Sequence, residues 1–117
     1  MKSLESIYNS ILLETQNPNN IDLKLLKSCI IGKYTINDDG SIDVDGMVSL
    51  INKYLTKIPF KFRNVGGSFW CHNNQLTSLE GAPNSVGGSF WCHNNPEIPY
   101  SELFKIVDRV KGDIYYS

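Results

Sequence analysis

Apolar residues recur at helical spacing near both ends of the chain and at strand spacing between them. Leu4, Ile7, Tyr8, Ile11 and Leu12 follow a three-and-four period behind Ser3, a reasonable N-cap. Asn17-Pro18-Asn19-Asn20 breaks that helix, and a second helix is expected over residues 23–30, ended by Gly32. Residues 33–36 and 41–44 read as two short strands around Asn37-Asp38-Asp39-Gly40, a hairpin signal. Toward the C-terminus, Ser101 precedes Leu103, Ile106, Val107 and Val110, an amphipathic helix that follows a proline.

The middle of the chain is built by duplication. The decapeptide VGGSFWCHNN stands at residues 65–74 and again at 86–95, a spacing of 21. A diverged copy begins at Val44, where Gly46 aligns with Gly67, Val48 with Phe69, Leu50 with Cys71 and Asn52 with Asn73. Downstream, Leu55 aligns with Leu76, Thr56 with Thr77 and Ile58 with Leu79. A fixed period of roughly 20–30 residues predicts a solenoid, in which each unit buries its apolar side against its neighbours. The run Phe69-x-Cys71-x-x-Asn74-x-Leu76-x-x-Leu79 matches the leucine-rich-repeat pattern. The first copy has Lys53 in the Asn position, and the last leaves the pattern at Pro96-Glu97-Ile98-Pro99, as at a C-terminal cap.

Each part of such a repeat has a physical task. Residues 68–72 form a short strand, with Phe69 and Cys71 on one face and Ser68, Trp70 and His72 on the other. Copies stack as parallel strands about 4.8 Å apart, so equivalent residues form columns. Asn74 and Asn95 turn the chain out of the strand by bonding backbone groups that would otherwise be buried unpaired. Leu76 and Leu79 close the core, and residues 80–85 form the return loop. Gly66-Gly67 and Gly87-Gly88 admit close backbone approach.

The stretches LTSLEGAPNSVGGSFWCHNN and INDDGSIDVDGMVSLINKYLTKIPFKF resemble the short leucine-rich-repeat proteins encoded by bacteriophages and some bacteria. Repeats of that group read roughly L-T-S-L-E-G-A-P-x-x-V-G-G-x-F-x-C-x-x-N, and the resemblance covers about residues 36–96. It implies a protein-binding architecture. A phage origin would imply a stoichiometric inhibitor of a host protein, of defence or of housekeeping, acting in the host cytoplasm. The expected fold is α+β: a single domain over 1–117, with an N-terminal helical cap at 1–34, the hairpin and about three repeats at 35–99, and a C-terminal helical cap at 100–117.

Composition narrows the function classes. The 117 residues are 41% hydrophobic and 20% charged with a formal charge of −1, as in a globular domain. No basic excess supports nucleic-acid binding, and no apolar run reaches the roughly 20 residues that cross a bilayer. Residues 1–14 carry acidic side chains within their apolar stretch and offer no small-residue cleavage site, so no secretory leader is expected. Three cysteines, an odd count, favour a reducing, cytoplasmic setting with free thiols.

Several candidate chemistries fail on geometry. Asn37 to Gly46 is rich in carboxylates, but an EF-hand register started at Asn37 puts Ile42 and Val48 at its Gly and Glu positions, and one started at Asp39 puts Val44 and Leu50 there. Cys71-His72 and Cys92-His93 hold the inventory of a zinc site, yet neighbours on a strand point to opposite faces and the four groups cannot converge. The same divergence separates a Cys nucleophile from a His base. Stacked Cys71 and Cys92 come within disulfide range by Cα distance alone, and free buried thiols are favoured. The Gly-Gly-Ser runs open strands, not the helix that a phosphate loop needs. No catalysis and no cofactor are expected.

What remains is the outer strand face. Its columns are Met47–Ser68–Ser89, Ser49–Trp70–Trp91 and Ile51–His72–His93. Trp buries much area at little rotamer cost and keeps a donor, which suits it to binding hot spots. Ser49, Ile51, Ser68, Trp70, His72, Ser89, Trp91 and His93 are therefore the expected partner-binding residues, and the partner a protein. Two other readings stay open: a homodimer through a repeat edge or the aromatic face, and a small-ligand or metal site around His72 and His93.

Overall fold

The computed structural model describes residues 20–117; the helix expected over Leu4 to Leu12 lies outside them. Asp22 caps helix α1 (Leu23–Cys29), its carboxylate accepting the Leu25 N–H at 3.0 Å. Leu26 and Cys29 point from it into the core. The helix ends at Cys29, earlier than its glycine suggests, because Ile30 turns extended and starts β1 (Ile30–Ile36). That strand pairs antiparallel with β2 (Ile42–Ser49), from Ile30 opposite Val48 to Ile36 opposite Ile42.

Gly32 marks a backbone contact within this hairpin and does not stop the helix. It faces Gly46, and both residues lie at positive φ, 115° and 148°. A Cβ on Gly32 would fall 2.3 Å from the Asp45 carbonyl oxygen, and one on Gly46 would fall 2.0 Å from that of Ile31. Both hairpin strands are accordingly longer than expected. At the turn, Asn37 N–H donates to Ser41 O, Gly40 N–H donates to Asn37 O, and Asp39 accepts from the Ser41 amide and hydroxyl.

From β2 onward the chain builds two parallel ladders. The Ile42–Val44 part of β2 pairs with β3 (Phe62–Val65), and β3 pairs with β5 (Ser85–Val86). The Val48–Ser49 part pairs with β4 (Phe69–Trp70), and β4 pairs with β6 (Phe90–Trp91). Partners in the later copies are 21 residues apart: Val65 with Val86, Phe69 with Phe90, Trp70 with Trp91. One long strand thus supplies both ladders in the first copy, and the glycine pair splits it into two short strands in each later copy. Crowding explains three of those four glycines: a Cβ would lie 2.1 Å from Gly66 O on Gly87, 2.8 Å from Gly46 O on Gly67 and 2.5 Å from Ser68 Oγ on Gly88. Phe62, Phe69 and Phe90 pack in sequence inside, at centroid distances of 5.2 Å for each successive pair.

The two amides act as expected, and on more groups than expected. Asn74 Oδ1 accepts the Lys53 and Leu55 N–H groups, while Nδ2 donates to the carbonyls of Leu50, Cys71 and His72. Asn95 repeats the arrangement one copy later, accepting from Leu76 and donating to Cys71, Cys92 and His93. The preceding Asn of each pair has a different task. Asn52, Asn73 and Asn94 all sit at φ near +55° (55°, 57° and 55°), the left-handed corner that Asn tolerates better than most residues.

The C-terminal segment departs most from expectation. Helix α2 (Ser101–Ile106) and a 3-10 turn (Val107–Arg109) are followed by a further strand, β7 (Ile114–Tyr115). Phe90 pairs with Ile114, Trp91 with Tyr115, and Val86 bridges in parallel to Val110. Residues 110–116 are a fourth, degenerate copy, displaced by 24 residues where the earlier ones are displaced by 21. The helix is inserted before this copy, so residues 100–117 are not a purely helical cap. Glu102, nearly buried, accepts the Leu79 N–H at 2.9 Å and pairs with Lys105. The described residues are therefore α+β: a sheet whose repeated strands run parallel, with two α-helices.

Replacing Asn74 by Ala leaves two backbone donors and up to three carbonyls unpaired at a buried turn, and is expected to cost at least about 3 kcal/mol. Asn94→Ala, at an exposed position, loses one exposed amide bond and puts Ala at positive φ, and is expected to cost about 1–2 kcal/mol. Urea unfolding monitored by circular dichroism compares the two. Glu102→Ala, which orphans the Leu79 N–H, is expected to cost about 1–3 kcal/mol in the same assay.

Candidate functional site

Strand stacking brings the aromatic residues of the outer face into one array. The Trp70 and Trp91 centroids are 5.3 Å apart, and Tyr115 continues the row 4.7 Å beyond Trp91. Beside this row His72 stacks on His93 at 4.4 Å, with ring planes 15° apart. The rows also touch each other: His72 lies 6.0 Å from Trp70 and 5.4 Å from Trp91, and His93 lies 5.8 Å from Trp91. Five rings from three successive copies form one continuous surface.

The expected residues divide by exposure and by what they bond. Trp70, Trp91 and His93 are half-buried, each showing part of its ring to solvent. Ser49 and Ile51, from the first copy, are half-buried at the start of the same columns. His72 was expected to face solvent but is only 8% exposed, because it is hemmed in by Trp70, Trp91 and His93. Ser68 and Ser89 hold the stack together: Ser68 Oγ accepts the Ser89 N–H and Ser89 Oγ accepts the Asp113 N–H, each at 3.1 Å. Their hydroxyls bridge one copy to the next.

Sequence reasoning missed Tyr115. Its signal was present, because Val110-Lys111-Gly112-Asp113-Ile114-Tyr115 keeps the valine, one glycine, the inward apolar residue and the outward aromatic residue of Val86-Gly87-Gly88-Ser89-Phe90-Trp91. The three extra residues ahead of it broke the period. Gly112 confirms the match physically, since a Cβ there would sit 2.6 Å from Ser89 Oγ and 2.7 Å from Gly88 O.

Electrostatics on and behind this face favour neutral groups. Burial lowers the pKa of His72 below the ordinary imidazole value, and the adjacent His93 lowers it further. Trp70 Nε1, His72 Nδ1 and His93 Nδ1 are buried with no hydrogen-bond partner. On the inner side the thiols of Cys71 and Cys92 are free and buried. Burial raises Cys71 well above the usual thiol range, helped by neighbouring Cys92, and pushes Cys92 up to about 11. Both stay protonated at neutral pH, which makes them poor nucleophiles. Strand alternation keeps these sulfurs on the face opposite the imidazoles, and among the described residues no group of three or more His, Cys, Asp or Glu is arranged to hold a metal ion.

Comparison with protein-family models, with curated proteins and with solved structures returns no match to this chain. Among the described residues no helix is long and apolar enough to cross a membrane.

The lowered pKa of His72 makes stability depend on pH. Below about 6.5 the unfolded chain takes up a proton at this imidazole that the folded chain resists, so folding weakens as pH falls from there toward the folded value. Carboxylates titrate lower and leave that window to histidine. Urea midpoints are expected to fall between pH 7 and pH 5, with His72→Phe flattening the change. Equal midpoints at both pH values would contradict this account.

Proposed function

We propose that this chain is a short leucine-rich-repeat-like solenoid that binds a protein partner through its Trp/His strand face and performs no catalysis. The repeat pattern, the 21-residue strand register and the amide at each strand exit support the solenoid reading. The observation that carries the binding reading is the unbroken aromatic row of Trp70, Trp91 and Tyr115 flanked by stacked imidazoles. A face built only for stability would be satisfied with small polar columns such as Ser68 and Ser89. Instead it holds large rings partly open to water, which favours contact with another surface.

The rings fit a surface and not a small molecule. The indoles are tilted against each other by 33° and Trp91 against Tyr115 by 53°, while the imidazoles lie 15° from parallel, so the rings pack on one another as a continuous patch. A flat, neutral patch of this kind suits a complementary protein surface, and the Trp residues are its anchors. His72 supports the anchors from beneath, while His93 and Tyr115 border them. The resemblance to phage repeat proteins directs the search to a bacterial host protein, blocked stoichiometrically in the host cytoplasm.

The test is comparative. The intact chain is expected to retain a defined partner from bacterial lysate, identified by mass spectrometry and then purified. The Trp70→Ala/Trp91→Ala chain is expected to bind that partner at least about thirtyfold more weakly, a loss of about 2 kcal/mol, with its circular dichroism unchanged. Equal affinity of the two folded chains would remove the Trp/His face from the binding reading.

A further inference from the structure

A second surface lies at the C-terminal end of the stack, away from Trp70. Among the described residues, seven large hydrophobic side chains are exposed, and five of them gather here: Tyr100, Phe104, Val107, Tyr115 and Tyr116. Four of these, with Leu103 and Ile114, line a groove of about 450 Å³ between α2 and β7. Tyr100 and Tyr116 meet edge-to-face across it, at a centroid distance of 6.1 Å. The strand beside the groove is a sheet edge, since β7 pairs with β6 alone. Phe90 and Cys92 donate to the Asp113 and Tyr115 carbonyls, so by strand alternation the peptide groups of Ile114 point outward.

We propose that this end is a homodimer interface, in which two copies meet about a two-fold axis. Their β7 edges lie side by side, and Tyr100, Phe104, Val107 and Tyr116 pack across the junction on the groove side while Tyr115 does so on the opposite strand face. Area selects a second copy as the occupant. Tyr100, Phe104, Tyr115 and Tyr116 are 71%, 79%, 44% and 51% exposed. At roughly 200 Å² per aromatic side chain they leave about 500 Å² of open ring surface per copy. A two-fold contact covers that area twice, about 1,000 Å², which reaches the lower limit of specific interfaces.

Charge agrees with self-association. No charged side chain lines the groove, and residues 102–113 carry three acidic and three basic side chains, so no single-sign field opposes a second copy. A two-fold contact also closes on itself, and assembly stops at two.

Sedimentation velocity of the full chain, from micromolar to submillimolar concentration, reads this out. The expected result is a concentration-dependent shift from the chain mass to twice that mass. Phe104→Asp and, separately, Tyr100→Asp are expected to hold the chain at the single mass with native circular dichroism. Both side chains are mostly exposed, so both variants should fold. Trp70→Ala alone, which leaves the Trp91–Tyr115 contact in place, is expected to dimerise like the parent chain, which separates this interface from the Trp70 end of the Trp/His face. A chain that stays monomeric throughout, grows beyond a dimer, or dimerises undiminished in both Asp variants overturns the proposal.

Discussion

The structure depends on how the backbone leaves each short strand. At that corner the chain turns inward, and its amide and carbonyl groups lose water before any regular ladder can accept them. A single buried amide meets much of that demand, and backbone bonds between copies, such as Gln75 N–H to Leu55 O, meet the rest. Asn74 bonds carbonyls 24 and 3 residues earlier in the chain and amides 21 and 19 residues earlier, so it ties its own copy to the preceding one. Asn95 repeats this one copy later with carbonyls 24 and 3 residues earlier and one amide 19 residues earlier. Buried backbone groups must be paired, and only a side chain with both donor and acceptor can pair both kinds at one point. The register of the copies follows, because slipping one residue would break several of these bonds together.

Register then dictates the chemistry of the outer face. Holding copies at strand separation places equivalent side chains closer than ring dimensions, so identical residues must stack. Trp on Trp and His on His are consequences of the spacing once the sequence repeats them. The stacking has two further effects. It covers His72 and favours its neutral form, and it leaves the indoles half-buried. The same stacking inside puts Phe69 on Phe90 and Cys71 near Cys92, and burial disarms the thiols. One geometric constraint thus yields a rigid core, inert sulfurs and an aromatic outer patch.

How much of this was legible in the sequence follows from the same physics. Copies that repeat at constant spacing announce themselves, so the strand at Phe69, the inward cysteines and the amides of Asn74 and Asn95 were readable. Gly32 was misread because glycine has two uses, and helix termination was the commoner; its partner Gly46 lies across a hairpin and is visible only in three dimensions. The covering of His72 was hidden because strand alternation tells which face a side chain takes, not how much its neighbours enclose it. Tyr115 was lost to three inserted residues that make room for α2. In each case the missing information was a contact between distant segments.

The two ends of the stack are finished in different ways, and the difference is informative. At the N-terminal end an antiparallel strand and α1 cover the first copy, and β1 carries charge and polarity at Lys33 and Thr35. At the C-terminal end the last copy changes in a selective manner. Lys111 stands where earlier copies have Gly87, and Asp113 where they have Ser89, yet Ile114 and Tyr115 keep the apolar and aromatic positions. A terminal unit meant only to meet water would become polar at all of these, as outer faces of repeat arrays do. In the proposed two-fold contact the retained rings would be buried and the new charges left in water. The crowded position keeps its glycine, Gly112, and the apolar and aromatic positions survive beside it where area is available to bury.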